Sequence, residues 1–123
     1  MAERITIRQG IEHSITATNL PALSNGAVWL AILFNKAANR RFVATRSEVS
    51  SATKFTWKSG VIRNEDGTFT PQTSDTDYKN STAAMPEGIY DLEFISSDLK
   101  MGGATTQKGK YEVVKSSVMA KNP

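Results

Sequence analysis

Any imidazole chemistry in this chain turns on one residue, His13, the only histidine. A Ser-His-acid relay needs an acid to orient the ring, and no such partner accompanies His13 in the sequence. A metal site built on paired imidazoles is excluded for the same reason. His13 therefore reads as a satisfied or edge-located side chain. Asp75-Thr76-Asp77 is the most metal-like fragment. Oxygen ligands two residues apart can share a hard cation, but a calcium loop wants more acids, a placed glycine and a terminal glutamate. The fragment reads as a solvated acidic loop. Asp91 and Glu93 fall on one strand face, whereas the two carboxylates of a glycosidase face each other across a cleft about 5–10 Å wide. Gly102-Gly103 has neither the lysine nor the strand–helix setting of a phosphate loop. Trp29, Phe55 and Trp57 could stack on sugars or bases, but aromatics at strand spacing are usually core. No catalytic residue, cofactor or metal is expected.

Composition narrows the classes further. The chain has 123 residues, enough for one domain with a real core. Cysteine is absent, which excludes disulfides, thiolate metal sites and a cysteine nucleophile. The net charge of +3 is mild, and the basic residues are spread out, with only Arg40-Arg41 adjacent. No nucleic-acid partner is expected from that pattern. The longest apolar run, residues 27–34, falls far short of the roughly 18 residues that indicate a membrane span. The first residues show no apolar segment of a secretory signal and read as a cytoplasmic N-terminus.

The elements that must position these side chains are strands. The chain is organised around residues 81–95. Tyr90, Leu92 and Phe94 alternate with Asp91 and Glu93, the period of a half-buried strand. Pro86 and Gly88 form a corner just before it. Tyr90 is either an ordinary core aromatic or a tyrosine corner, whose hydroxyl bonds back to the nearby backbone. Further strands are expected at 4–8, 11–18, 41–46, 54–58 and 110–118. A hairpin should turn at Asn64-Glu65-Asp66-Gly67. Residues 71–80 and 96–109 read as loops, 47–52 as a loop or a short helical turn, and 82–85 as one helical turn capped by Ser81.

The run 27–34 is apolar on both faces: Val28, Leu30, Ile32 and Phe34 against Trp29, Ala31 and Leu33. One face must fill the core and the other needs a cover. The expected core is Leu30, Ile32, Phe55, Tyr90, Leu92, Phe94, Tyr111 and Val113. That leaves Trp29 and Leu33, with Asp75, Asp77, Leu99 and Met101 in the long loops, as expected interface residues. The fold class expected is all-β: one Ig-like Greek-key sandwich of seven to eight antiparallel strands, core about 5–118, with a tail at 119–123.

Gly10, residues 28–34, Thr82, Met85, Pro86, Gly88, Tyr90, Asp91, Leu92, Glu93, Gly103, Tyr111, Val113 and Val114 carry a resemblance. The pattern resembles the N-terminal immunoglobulin-like domain of the tailed-bacteriophage baseplate upper protein and related tail or fibre-attachment domains. This chain departs from it in a long 46–64 section. The resemblance implies a non-enzymatic virion component of tail, baseplate, head decoration or fibre anchor, made in the host cytoplasm. Its implied partners are other virion proteins and copies of itself. The rival expectation is a carbohydrate-binding sandwich using Trp29 or Trp57.

Overall fold

The computed structural model describes residues 3–102 and 107–120. Gly103, Thr105, Thr106 and the last three residues of the expected tail lie outside them. The described residues are mostly strand, in the order β1 (Ile5–Arg8), β2 (His13–Ala17), β3 (Trp29–Asn35), β4 (Arg40–Val43), β5 (Thr45–Val49), β6 (Ala52–Trp57), β7 (Val61–Arg63), β8 (Phe69–Pro71), β9 (Gly88–Ser96) and β10 (Gln107–Val114). Three short 3-10 turns, Tyr78–Asn80, Thr82–Ala84 and Ser117–Met119, complete the list.

A five-stranded sheet, β1-β10-β9-β3-β4, stacks on a three-stranded sheet, β2-β6-β5. Alternation builds the core between them. Tyr90, Leu92 and Phe94 of β9 point inward with Ile7, Phe42, Tyr111 and Val113, and meet Phe55 and Trp57 of β6. Each large apolar side chain enclosed in this way contributes about 1.5–3 kcal/mol. The Phe55 and Phe94 rings meet across the sheets with centroids 5.5 Å apart. The Trp57 indole N–H donates to the Phe42 carbonyl at 2.8 Å, so a polar bond also ties the layers.

The chain changes sheet twice without a long loop. At Gly10 it leaves β1, which pairs in parallel with β10, and enters β2, which pairs antiparallel with β6. At Ala44 it leaves β4 for β5, and the Ala44 N–H donates to the Ala31 carbonyl at 3.0 Å. The expected single strand 41–46 is thus two strands in two sheets. The expected 47–52 loop is largely strand, because β5 runs to Val49 and β6 starts at Ala52. The described strands number ten, above the expected seven to eight, and the parallel β1–β10 pair departs from a purely antiparallel sandwich.

The corner before β9 forms where expected. The Tyr90 hydroxyl donates to the Pro86 carbonyl at 2.6 Å, and its ring is fully buried. Gly88 has φ +142°, a backbone that side-chain-bearing residues avoid. Thr82 pins the preceding 3-10 turn by donating its hydroxyl to the Ile11 carbonyl at 2.9 Å. Ser81 does not cap that turn; its hydroxyl donates to the Tyr78 carbonyl instead, at 2.7 Å. The 64–67 hairpin also forms, with Gly67 N–H donating to the Asn64 carbonyl and β7 paired to β8.

The two faces of β3 are assigned the other way round from expectation. Ala31 and Leu33 are fully enclosed in the core and Trp29 packs against it. Leu30, Ile32 and Phe34 lie on the outer face of the five-stranded sheet, where Ile32 is buried as expected but stands outside the cluster between the sheets. Leu33, at 0 % exposure, therefore offers no surface to a partner, and Leu30 is half-buried outside the core. Period-two alternation separates the faces of a strand but cannot tell which faces inward when both are apolar.

Candidate interaction site

Three of the six expected interface residues, Trp29, Leu99 and Met101, converge at one end of the sandwich. The sequence signal that builds this end is Ser96-Ser97-Asp98, directly after β9. Ser96 is buried, and its hydroxyl is the hub of the turn. It donates to an Asp98 carboxylate oxygen at 2.6 Å and accepts from the N–H groups of Lys100 and Met101 at 3.1 and 3.0 Å. The Ser96 N–H donates to the Met101 carbonyl at 2.8 Å, and Leu99 N–H donates back to the Ser96 carbonyl at 2.9 Å. The Ser96 hydroxyl holds the Asp98 carboxyl below the usual carboxylate range.

This turn has a consequence for Leu99. The residue sits at φ +61° and is 76 % exposed. A left-handed backbone costs a leucine about 1–2 kcal/mol, and no burial within the chain offsets it. Met101 follows at 44 % exposure. Beneath them, a cleft of about 300 Å³ is lined by Leu20, Pro21, Trp29, Phe94, Lys100 and Met101. Trp29 forms its floor, with the indole N–H donating to the Pro21 carbonyl at 2.8 Å. Both the ring and its polar tip are therefore held by the chain. The arrangement is an apolar projection beside an apolar cleft, with Lys100 and Met101 lining the side next to Leu99. Such a surface suits a protein partner.

Asp75 and Asp77 sit at the other end, separated from Trp29 by the length of β6. They line a cleft of about 310 Å³ with Glu12, Lys58, Gln72 and Tyr78. Their acidity is met internally. Lys58 Nζ bonds an Asp77 oxygen at 3.0 Å, and an Asp75 oxygen accepts the Asp77 N–H at 3.0 Å. The Asp77 carboxylate raises the Lys58 pKa. Among the described residues, no group of three or more His, Cys, Asp and Glu side chains could hold a metal ion.

Asp91, His13 and Trp57 are held in contacts within the fold. Asp91 accepts the Gly109 N–H at 2.8 Å, a structural task on the β9–β10 pair. His13 is half-buried between the rings of Trp57 and Tyr111, with centroids 6.3 and 5.8 Å away. Among the described residues its Nε2 is buried without a hydrogen-bond partner, so of the two expected readings, satisfied or edge-located, the second holds: β2 is an edge strand of its sheet. Burial alone lowers its pKa. Trp57 is enclosed, 1 % exposed, and cannot stack on a sugar. No described helix is long and apolar enough to cross a membrane.

Sequence reasoning missed Leu20 and Pro21, which wall the cleft, because they sit in a stretch read only as turn. It also missed Ser96 as the organiser. Ser-x-Asp after a strand is a recognisable turn signal, and that reading was open. Comparison with family models, with curated proteins and with solved structures returns no match.

Proposed function

We propose that this chain is a non-enzymatic docking module, working as a structural component of a bacteriophage particle through protein–protein contact. The observation that carries the docking reading is Leu99: a leucine held outward at a left-handed backbone position in a turn closed by five hydrogen bonds to Ser96, next to Met101 and the Trp29 cleft. Strain and exposure of this kind are usually retained for an external contact.

An Ig-like Greek-key architecture is the finer fold that goes with this reading. Its support is the strand order. The first strand pairs in parallel with the last, β9 and β3 are central neighbours, and β2-β6-β5 form the facing sheet. The Tyr90–Pro86 bond at the start of β9 is the bond expected of a tyrosine corner. The particle assignment rests on the sequence resemblance at residues 82–94. Mass spectrometry of purified particles tests it. The chain should appear at a fixed copy number per particle. Its absence from extensively washed particles would overturn the assignment.

A further inference from the structure

Beyond the docking end, we infer that the outer face of the five-stranded sheet is a self-complementary surface that binds a second copy of this chain. The face is centred on β3, whose outward residues are Leu30, Ile32 and Phe34. Phe34 and Leu30 are half-buried and Ile32 between them is buried by its sheet neighbours, and among the described residues the second sheet stacks only on the opposite face, that of Ala31 and Leu33.

The register states what covers them. Phe34 pairs with Arg41 of β4 on one side and with Asp91 of β9 on the other. One row across the sheet therefore reads cation, aromatic ring, carboxylate. Arg41 and Asp91 stand two strand spacings apart, about 10 Å, which is too far for a close ion pair. The Arg41 guanidinium lies 5.0 Å from the Phe34 ring centre. Among the described residues, neither Arg41, Asp91 nor Glu93 forms a salt bridge.

A half-turn about a line parallel to β3 exchanges β4 with β9. It sets the Arg41 of each copy over the Asp91 of the other and stacks Phe34 against Phe34. Sheets packed face to face cross at about 30°, which brings Glu93, two residues along β9, within the reach of the same arginine. Such an interface is isologous, and its charge pattern answers itself only under the two-fold operation. A partner with a different surface would have to reproduce this row. The face is only five short strands wide, so the pair is weak and concentration-dependent in isolation. Repetition on a particle would multiply it.

Sedimentation equilibrium of the full chain, run up to hundreds of micromolar, tests the inference. Wild type should show a reversible monomer–dimer equilibrium. Arg41→Glu should weaken it by about tenfold or more, since it sets like charges opposite each other. Arg41→Glu combined with Glu93→Arg should recover most of the loss, with circular dichroism showing every variant folded. A wild type that stays monomeric at all concentrations overturns the inference. So does a dimer that is indifferent to Arg41→Glu. A dimer lost in Leu99→Asp but kept in Arg41→Glu would place the contact at the apolar end and also overturn it. The docking reading stands or falls separately, because Arg41→Glu leaves the Leu99 end intact.

Discussion

The Tyr90 hydroxyl donates to the Pro86 carbonyl four residues earlier, at 2.6 Å, closing the corner from which β9 enters the core. Burial raises the Tyr90 pKa, so the hydroxyl keeps its proton and remains a donor well into alkaline solution. Tyr90→Phe keeps the ring in place and strands the carbonyl. The expected loss is about 1–3 kcal/mol in urea unfolding. A change near zero would show that the corner contributes through packing alone.

Leu33 and Leu99 separate the interior from the exposed apolar end. Leu33→Ala should cost about 2–5 kcal/mol, since it opens a cavity between the sheets. Leu99→Ala should stay within about 0.5 kcal/mol, as expected of an exposed position. Leu99→Gly relieves a left-handed backbone, so its effect should be neutral or stabilising by up to about 1 kcal/mol. Chemical denaturation of the three variants checks the ordering. Leu92→Ala should resemble Leu33→Ala, because both lie in the same core cluster.

The ordering of Leu33 and Leu99 shows where the sequence was legible. The alternation of Tyr90, Leu92 and Phe94 is local and unambiguous, so β9 and its inward face could be read directly. The 64–67 turn was equally plain, because its Asn, Asp and Gly chemistry is confined to four residues. β3 was legible as a strand but not in orientation, because both of its faces are apolar. β5, Thr-Arg-Ser-Glu-Val, is exposed throughout and has no apolar face to reveal it; it exists because β6 supplies backbone partners. The parallel pairing of β1 with β10 joins the two ends of the chain, a relation that no local period encodes. At the apolar end, Leu99 and Met101 were found because a polar loop carried them. The cleft was not, since it forms only when 20–21 and 100–102 meet over Trp29 and Phe94.

His13 gives the fold a pH dependence with a definite sign. Burial places its folded pKa below the ordinary value of 6.5, near which it titrates when unfolded. Between those two values the unfolded chain binds more protons, so stability is lost as pH falls through that window. Above 6.5 the contribution is fully present. His13→Phe should flatten the unfolding midpoint between pH 7 and the onset of carboxylate titration. An unchanged slope in that variant would assign the effect to other groups.

Gly60 is a point where the backbone leaves no room. Its φ is +75°, and an added Cβ would lie 2.2 Å from the Ser81 hydroxyl oxygen. Gly60→Ala should destabilise by about 1–3 kcal/mol through backbone strain and displacement of Ser81. Thermal unfolding measures this, and a midpoint equal to wild type would contradict the packing of 59–61 against 81–83.

The most direct test of the docking reading is photo-crosslinking from within a purified particle. A photoreactive side chain is placed at position 101, beside the Trp29 cleft, and in a parallel sample at position 62, which is somewhat more exposed, 51 % against 44 %, and lies on the separate β7–β8 hairpin. The predicted result is a discrete crosslink from 101 to one particle protein, lost when Leu99→Asp is added, and none from 62. Equal labelling from both positions, or none from 101, would contradict the docking role of the apolar end.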